Sequence, residues 1–121
     1  MKPEVADSGW LWDMLSAARL VMEFVRGRTF DEYQADPMLR SAVERQIEII
    51  GEAASRVSTE FQDSHPEFEW RKIVGQRPML AHGYGKLDHE LVWKAAIFHV
   101  PELAAKLAPL VPPPPDSPPT S

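Results

Sequence analysis

The chain has 121 residues, 44% of them apolar and 26% charged, which suits one compact domain. It has no cysteine, so disulfides and thiolate metal sites are excluded and a reducing compartment is expected. The net charge of −5 argues at first against a nucleic-acid ligand. No stretch approaches the roughly 20 uncharged apolar residues of a bilayer span, and MKPEVADSGW lacks the apolar run of a secretory signal, so a cytoplasmic protein is expected.

Charge is not spread evenly. Residues 1–70 carry seven Lys/Arg against fourteen Asp/Glu, whereas residues 71–121 carry six against four. Between Arg71 and Lys86 stand four bases (Arg71, Lys72, Arg77, Lys86) and no acid. Such a stretch can hold phosphate on an otherwise acidic body, or be a solvated helix face.

The pattern is helical along the chain. Asp7 or Ser8 can cap a first helix that Gly27 ends, with Trp10, Met14, Ala17, Val21 and Phe24 at helical spacing. Leu11, Trp12 and Leu15 widen its apolar arc, as in a bundle or at a subunit contact. Thr29 and Glu32 have the spacing of a capping box before a short helical turn. Asp36-Pro37 then reads as N-cap and first helical residue of a long second helix. That helix carries Leu39, Val43, Ile47, Ile50, Ala54, Val57 and Phe61 and extends to the region of Pro66. Gly51 within it is expected where another helix comes close.

A third helix is predicted from Trp70 to His82, interrupted at Gly75 and Pro78, with a turn at Gly83-Tyr84-Gly85. Asp88 caps a fourth helix with Val92, Ala95, Ala96 and His99 along it, kinked or restarted at Pro101. Leu103, Leu107 and Leu110 complete an apolar edge. The tail VPPPPDSPPTS cannot build a core and is expected to be extended and disordered. Residues 1–110 are thus read as one domain and 111–121 as a Pro-rich tail.

The informative string for chemistry is Arg77-Pro78-Met79-Leu80-Ala81-His82-Gly83-Tyr84. Five helical steps offset two side chains by roughly 140° around the axis, so Arg77 and His82 converge only if the helix kinks or ends between them. Brought together, such a pair can cleave RNA without a metal. Histidine exchanges a proton with the ribose 2′-hydroxyl or the leaving oxygen, and an arginine fork holds the phosphate as its charge develops. The bland alternatives are a helix-terminal His82 bonded to carbonyls and a Tyr84 ring packed at its turn. His65 and His89 sit at a helix exit and a helix start, where polar residues are ordinary, and His99 reads as a partly buried packing residue. Trp70 and Trp93 read as core anchors. Glu52 shares a face with Glu48 and is read as structural or cleft-lining; Arg71, Lys72 and Lys86 are further cleft-lining candidates. No histidine–carboxylate spacing suggests a metal site, and no glycine-rich phosphate loop suggests a nucleotide cofactor.

Two blocks carry a family resemblance: LRSAVERQIEIIGEAA from Leu39 to Ala54, and PEFEWRKIVGQRPMLAHGYGKLDHELVW from Pro66 to Trp93. Together with their spacing they resemble the HepT-like proteins of the HEPN class over about Trp10 to Leu107. The resemblance implies an antiparallel four- to five-helix bundle and a homodimer with a cleft at its interface. It implies a metal-independent endoribonuclease, the toxin of a type VII toxin–antitoxin system, with Arg77 on the scissile phosphate and His82 as acid or base. It also implies a partner, an MNT-type nucleotidyltransferase antitoxin, that transfers AMP to Tyr84. One position departs from the family pattern: a polar residue commonly follows the arginine, and here it is Pro78, which lacks a polar side chain and a backbone N–H. The alternative reading is a non-catalytic HEPN dimer that serves its nucleotidyltransferase.

Overall fold

The computed structural model describes residues 5–80 and 88–111, which are helical nearly throughout, with no strand among them. Helix α1 (Val5–Val25) leads through a turn to the short α2 (Phe30–Ala35) and then α3 (Pro37–Arg56). Short α4 (Thr59–Ser64) and a 3-10 turn (Pro66–Phe68) bring the chain to α5 (Trp70–Leu80). Beyond residue 87, α6 (His89–Lys94), a π-helical turn (Ala95–His99) and α7 (Val100–Leu107) follow without a break. Four rods therefore make the bundle: α1, α3, α5 and the α6–α7 rod. The expected all-α architecture is the one this chain adopts.

Local signals set most boundaries. The Thr29 hydroxyl accepts from the Glu32 N–H and the Glu32 carboxylate accepts from the Thr29 N–H, closing a reciprocal capping box on α2. The Asp36 carboxylate accepts from the Leu39 N–H at 3.1 Å, with Pro37 opening α3. Asp88 does the same for Glu90 and Leu91 at the start of α6. Gly27, at φ +71°, takes the left-handed turn that ends α1 without the clash a Cβ would bring.

Packing follows the α3 stripe. Leu39, Val43, Ile47, Ile50, Ala54, Val57 and Phe61 are all buried. Each fully buried Val or Ile side chain contributes about 1.5–3 kcal/mol. Helix α1 meets them with Leu11, Met14, Leu15, Ala18 and Val21, while Val92, Ala96, Val100, Leu103 and Leu107 close the core from the α6–α7 rod. Trp70 and Trp93 are buried anchors, as expected.

Four details differ from the sequence reading. The second helix does not reach Phe61: it stops at Arg56, and Ser58 caps the separate α4 through its hydroxyl to the Phe61 N–H. Asp7 lies inside α1 rather than at its cap. Its carboxylate accepts from the Ser58 N–H (2.8 Å) and the Ser58 hydroxyl (2.6 Å), joining the start of α1 to the end of α3. The two helices therefore run antiparallel. Helix α5 passes through Gly75 and Pro78 without interruption, because a proline near a helix end forfeits a single backbone bond. Ahead of Pro101 the rod widens instead of kinking: the Val100 N–H reaches the Ala95 carbonyl, a π-type bond. His99, in that turn, is exposed and not a packing residue.

Candidate active site

Helix α5 begins beside the end of α3. Trp70 stands edge-on to Phe61 of α4 (centroids 6.2 Å apart), and its indole N–H donates to the His65 carbonyl at 3.0 Å. Gln62, on the same short helix, donates to the Ala54 and Val57 carbonyls at the close of α3. From there α5 packs back along α3. Ten residues of either helix span about 15 Å, so the last turn of α5, with Arg77, comes level with the N-terminal half of α3 near Glu44. Arg77 is placed by its backbone alone. His82, Tyr84 and Lys86, with the predicted Gly83–Gly85 turn, lie outside the described residues, as does the tail from 112.

The start of α6 arrives at the same place. Tyr33 of α2 is fully buried, tilted against Trp93 (5.3 Å) and edge-on to His89 (6.4 Å). Its hydroxyl has no hydrogen-bond partner among the described residues. Burial pushes the phenol well above its ordinary pKa; the nearby Glu44 charge adds to this and Arg40 opposes it. Half-buried Glu44 is likewise pushed up by burial, with the charges of His89 and Arg40 working against the shift. Arg40 is held by a hydrogen bond to the Gln34 carbonyl. A polar cluster of Tyr33, Arg40, Glu44 and His89 thus lies where α2, α3 and α6 meet. Spacing along the chain could not reveal it, because its members come from three elements.

The other sequence candidates lie elsewhere. Glu52 is on the exposed side of α3, 3.9 Å from Arg56, in an ion pair of the kind that contributes little. Arg71 is exposed and Lys72 pairs with Glu69 at 3.0 Å, so these two bases sit at the start of α5, away from its Arg77 end. Hydrogen bonding from Lys72 and its charge hold the Glu69 carboxyl below the usual range. His65 stacks on Phe61 at 4.3 Å and its Nδ1 meets Glu67 at 3.1 Å, again at the far end of α3.

An open groove of about 250 Å³ runs between α5 and the α6–α7 rod, lined by Phe68, Glu69, Lys72, His99 and Lys106 among others. Its lysines are engaged: Lys106 donates to the Glu67 carbonyl at 2.8 Å and lies 3.5 Å from Glu102. No metal-binding group of His, Asp and Glu side chains occurs among the described residues, and no described helix is long and apolar enough to cross a membrane.

A helical bundle that brings the R-x4-H helix and the start of the next helix to one end defines the class, and the comparisons agree. The chain belongs to the HepT-like ribonuclease family: the family model described as Ribonuclease HepT-like matches residues 14–110. It is 36% identical over 94 residues to a candidate RNase of Methanocaldococcus jannaschii, covering 78% of this chain and 86% of the relative. It is 35% identical over 97 residues to the "Probable ribonuclease HepT" of Thermococcus cleftensis, covering 80% and 88%. A candidate RNase of Caldanaerobacter subterraneus subsp. tengcongensis is 33% identical over 94 residues, covering 78% and 84%. No solved structure gives a significant match.

Proposed function

We propose that this protein is a metal-independent endoribonuclease acting in the cytoplasm as the toxin of a HepT/MNT-like pair, with residues 1–110 as the working domain. The observation that carries this reading is the family match over residues 14–110, which spans the whole string from Arg77 to Tyr84. In the proposed reaction the Arg77 guanidinium holds the scissile phosphate and offsets the charge that grows on its oxygens. His82 exchanges a proton with the reacting oxygens, and the 2′-oxygen attacks phosphorus to leave a 2′,3′-cyclic phosphate. A homodimer forms the cleft. Exposed Phe98 (63%) and Leu91 (50%) on the α6–α7 rod favour a protein contact there. Control falls to a nucleotidyltransferase that adds AMP to Tyr84, bringing negative charge and bulk two residues from His82.

Incubation of the purified chain with labelled tRNA and mRNA, with and without EDTA, tests the chemistry. Arg77→Ala and His82→Ala are each expected to lower cleavage at least about 100-fold while circular dichroism stays unchanged. Full activity in His82→Ala removes the proton-transfer role. A wild type that cuts nothing, even as Pro78→Asn, favours the non-catalytic dimer. Intact mass after incubation with the nucleotidyltransferase, ATP and Mg²⁺ tests control: an AMP adduct lost in Tyr84→Phe is expected, and an adduct elsewhere overturns it.

A further inference from the structure

RNA cleavage by 2′-oxygen attack moves two protons: one leaves the 2′-hydroxyl and one must reach the departing 5′-oxygen. With His82 serving one of these oxygens, the other requires a second group. Of the remaining histidines, His65 is stacked on Phe61 and paired with Glu67 at the far end of α3, and His99 belongs to the groove at the start of α5. His89 alone of the three stands at the end of the bundle where α5 finishes.

Its surroundings are specific. His89 is the first residue of α6, and the Asp88 cap fixes the helix start beside it. Its ring is half-buried against the edge of Tyr33. Glu44 lies close enough for a positive charge on His89 to ease ionisation of its half-buried carboxyl. The charged and titratable groups facing His89 are therefore Glu44 and Arg40 from α3, Tyr33 from α2 and Asp88 beside it. A carboxylate next to an imidazole orients the ring and fixes which nitrogen faces outward. The unused hydroxyl of Tyr33 and the carboxyl of Glu44 make this an uncommon place in an otherwise apolar core.

We propose that His89, oriented by Glu44, is the second proton-transfer group of RNA cleavage, the general acid for the leaving 5′-oxygen; this rests on the ribonuclease reading above. His82 takes the 2′-hydroxyl proton, and the 2′-oxygen bonds to phosphorus. The phosphorus–5′-oxygen bond breaks, and the protonated His89 ring gives its proton to that oxygen. The products are a 2′,3′-cyclic phosphate and a 5′-hydroxyl. His82 ends with one proton more and His89 with one fewer, and exchange with water restores both.

A leaving-group substitution separates an acid from a merely structural histidine. A thiolate departs without protonation, so an RNA with a bridging 5′-sulfur at one linkage has no need of the acid. Wild type, His89→Ala and His82→Ala are compared on the sulfur and the oxygen substrate. His89→Ala is expected to cleave ordinary RNA about 100-fold more slowly yet cleave the sulfur linkage within about 10-fold of wild type. His82→Ala should remain slow on both. Near-wild-type cleavage of ordinary RNA by His89→Ala, or an equal loss on the two linkages, overturns the assignment. Should His89→Ala lose its helical signal, His89→Asn takes its place under the same criteria. A wild type inactive on both linkages, or indifferent to His82→Ala, removes the ribonuclease reading and this role with it. A His82-dependent wild type with an undisturbed His89 variant removes this role alone.

Discussion

Where α1 begins and α3 ends, the inward-facing polar groups answer one another. Phe61 donates its N–H to the Ser58 hydroxyl, and Ser58 donates its own N–H and O–H to the buried Asp7 carboxylate. Gln62 satisfies two carbonyls at the end of α3. At the opposite end, Tyr33 buries a hydroxyl with no partner among the described residues, and Glu44 is half-buried in spite of its charge. The first end is arranged for stability. The second keeps uncompensated polar groups next to the helix that carries Arg77, as functional sites commonly do at a cost in stability.

That contrast can be broken by substitution. Asp7→Ala strands two Ser58 donors and unlinks helices 51 residues apart in sequence. It should cost about 2–3 kcal/mol, read as a lower urea midpoint. A loss below about 0.5 kcal/mol would mean that water replaces the carboxylate and that this end is less closed than it looks.

Tyr33→Phe should do the reverse. Deleting an unpartnered buried hydroxyl while keeping the ring against Trp93 should leave stability unchanged or raise it by up to about 1 kcal/mol. A clear destabilisation would show that the hydroxyl donates to Glu44 in solution.

The smallest effect is a pH dependence at Glu44. Its folded pKa is raised above the ordinary 4.5, so the stability it lends is complete below that value and is lost as pH climbs through the folded pKa. Glu44→Gln should therefore be more stable than wild type at neutral pH by less than about 1 kcal/mol. The gap should close as pH falls towards 4.5, in paired urea titrations. A gap that widens on acidification would reverse the sign and place Glu44 in a favourable ion pair.

What the sequence determined by itself is local or periodic. The Thr29–Glu32 box, the Asp36-Pro37 start, the Asp88 cap and the glycine turn at residue 27 depend on residues within about four positions of one another, and each has the role its spacing suggests. The α3 stripe follows from 3.6 residues per turn, and every member is buried. The Arg77–Tyr84 string and the two flanking blocks were enough to point to the family. Tertiary structure decided the rest. The α3 stripe continues through Val57 and Phe61, so periodicity could not reveal the break at Ser58, which goes with an aspartate 51 residues away. Pro101 announced a disturbance, but a π turn rather than a kink depends on how the rod packs on α1. Asp7, Tyr33, Glu44 and His89 each read as ordinary helix residues in one dimension. They acquire a role from partners on other helices, because burial and charge act through space and not along the chain.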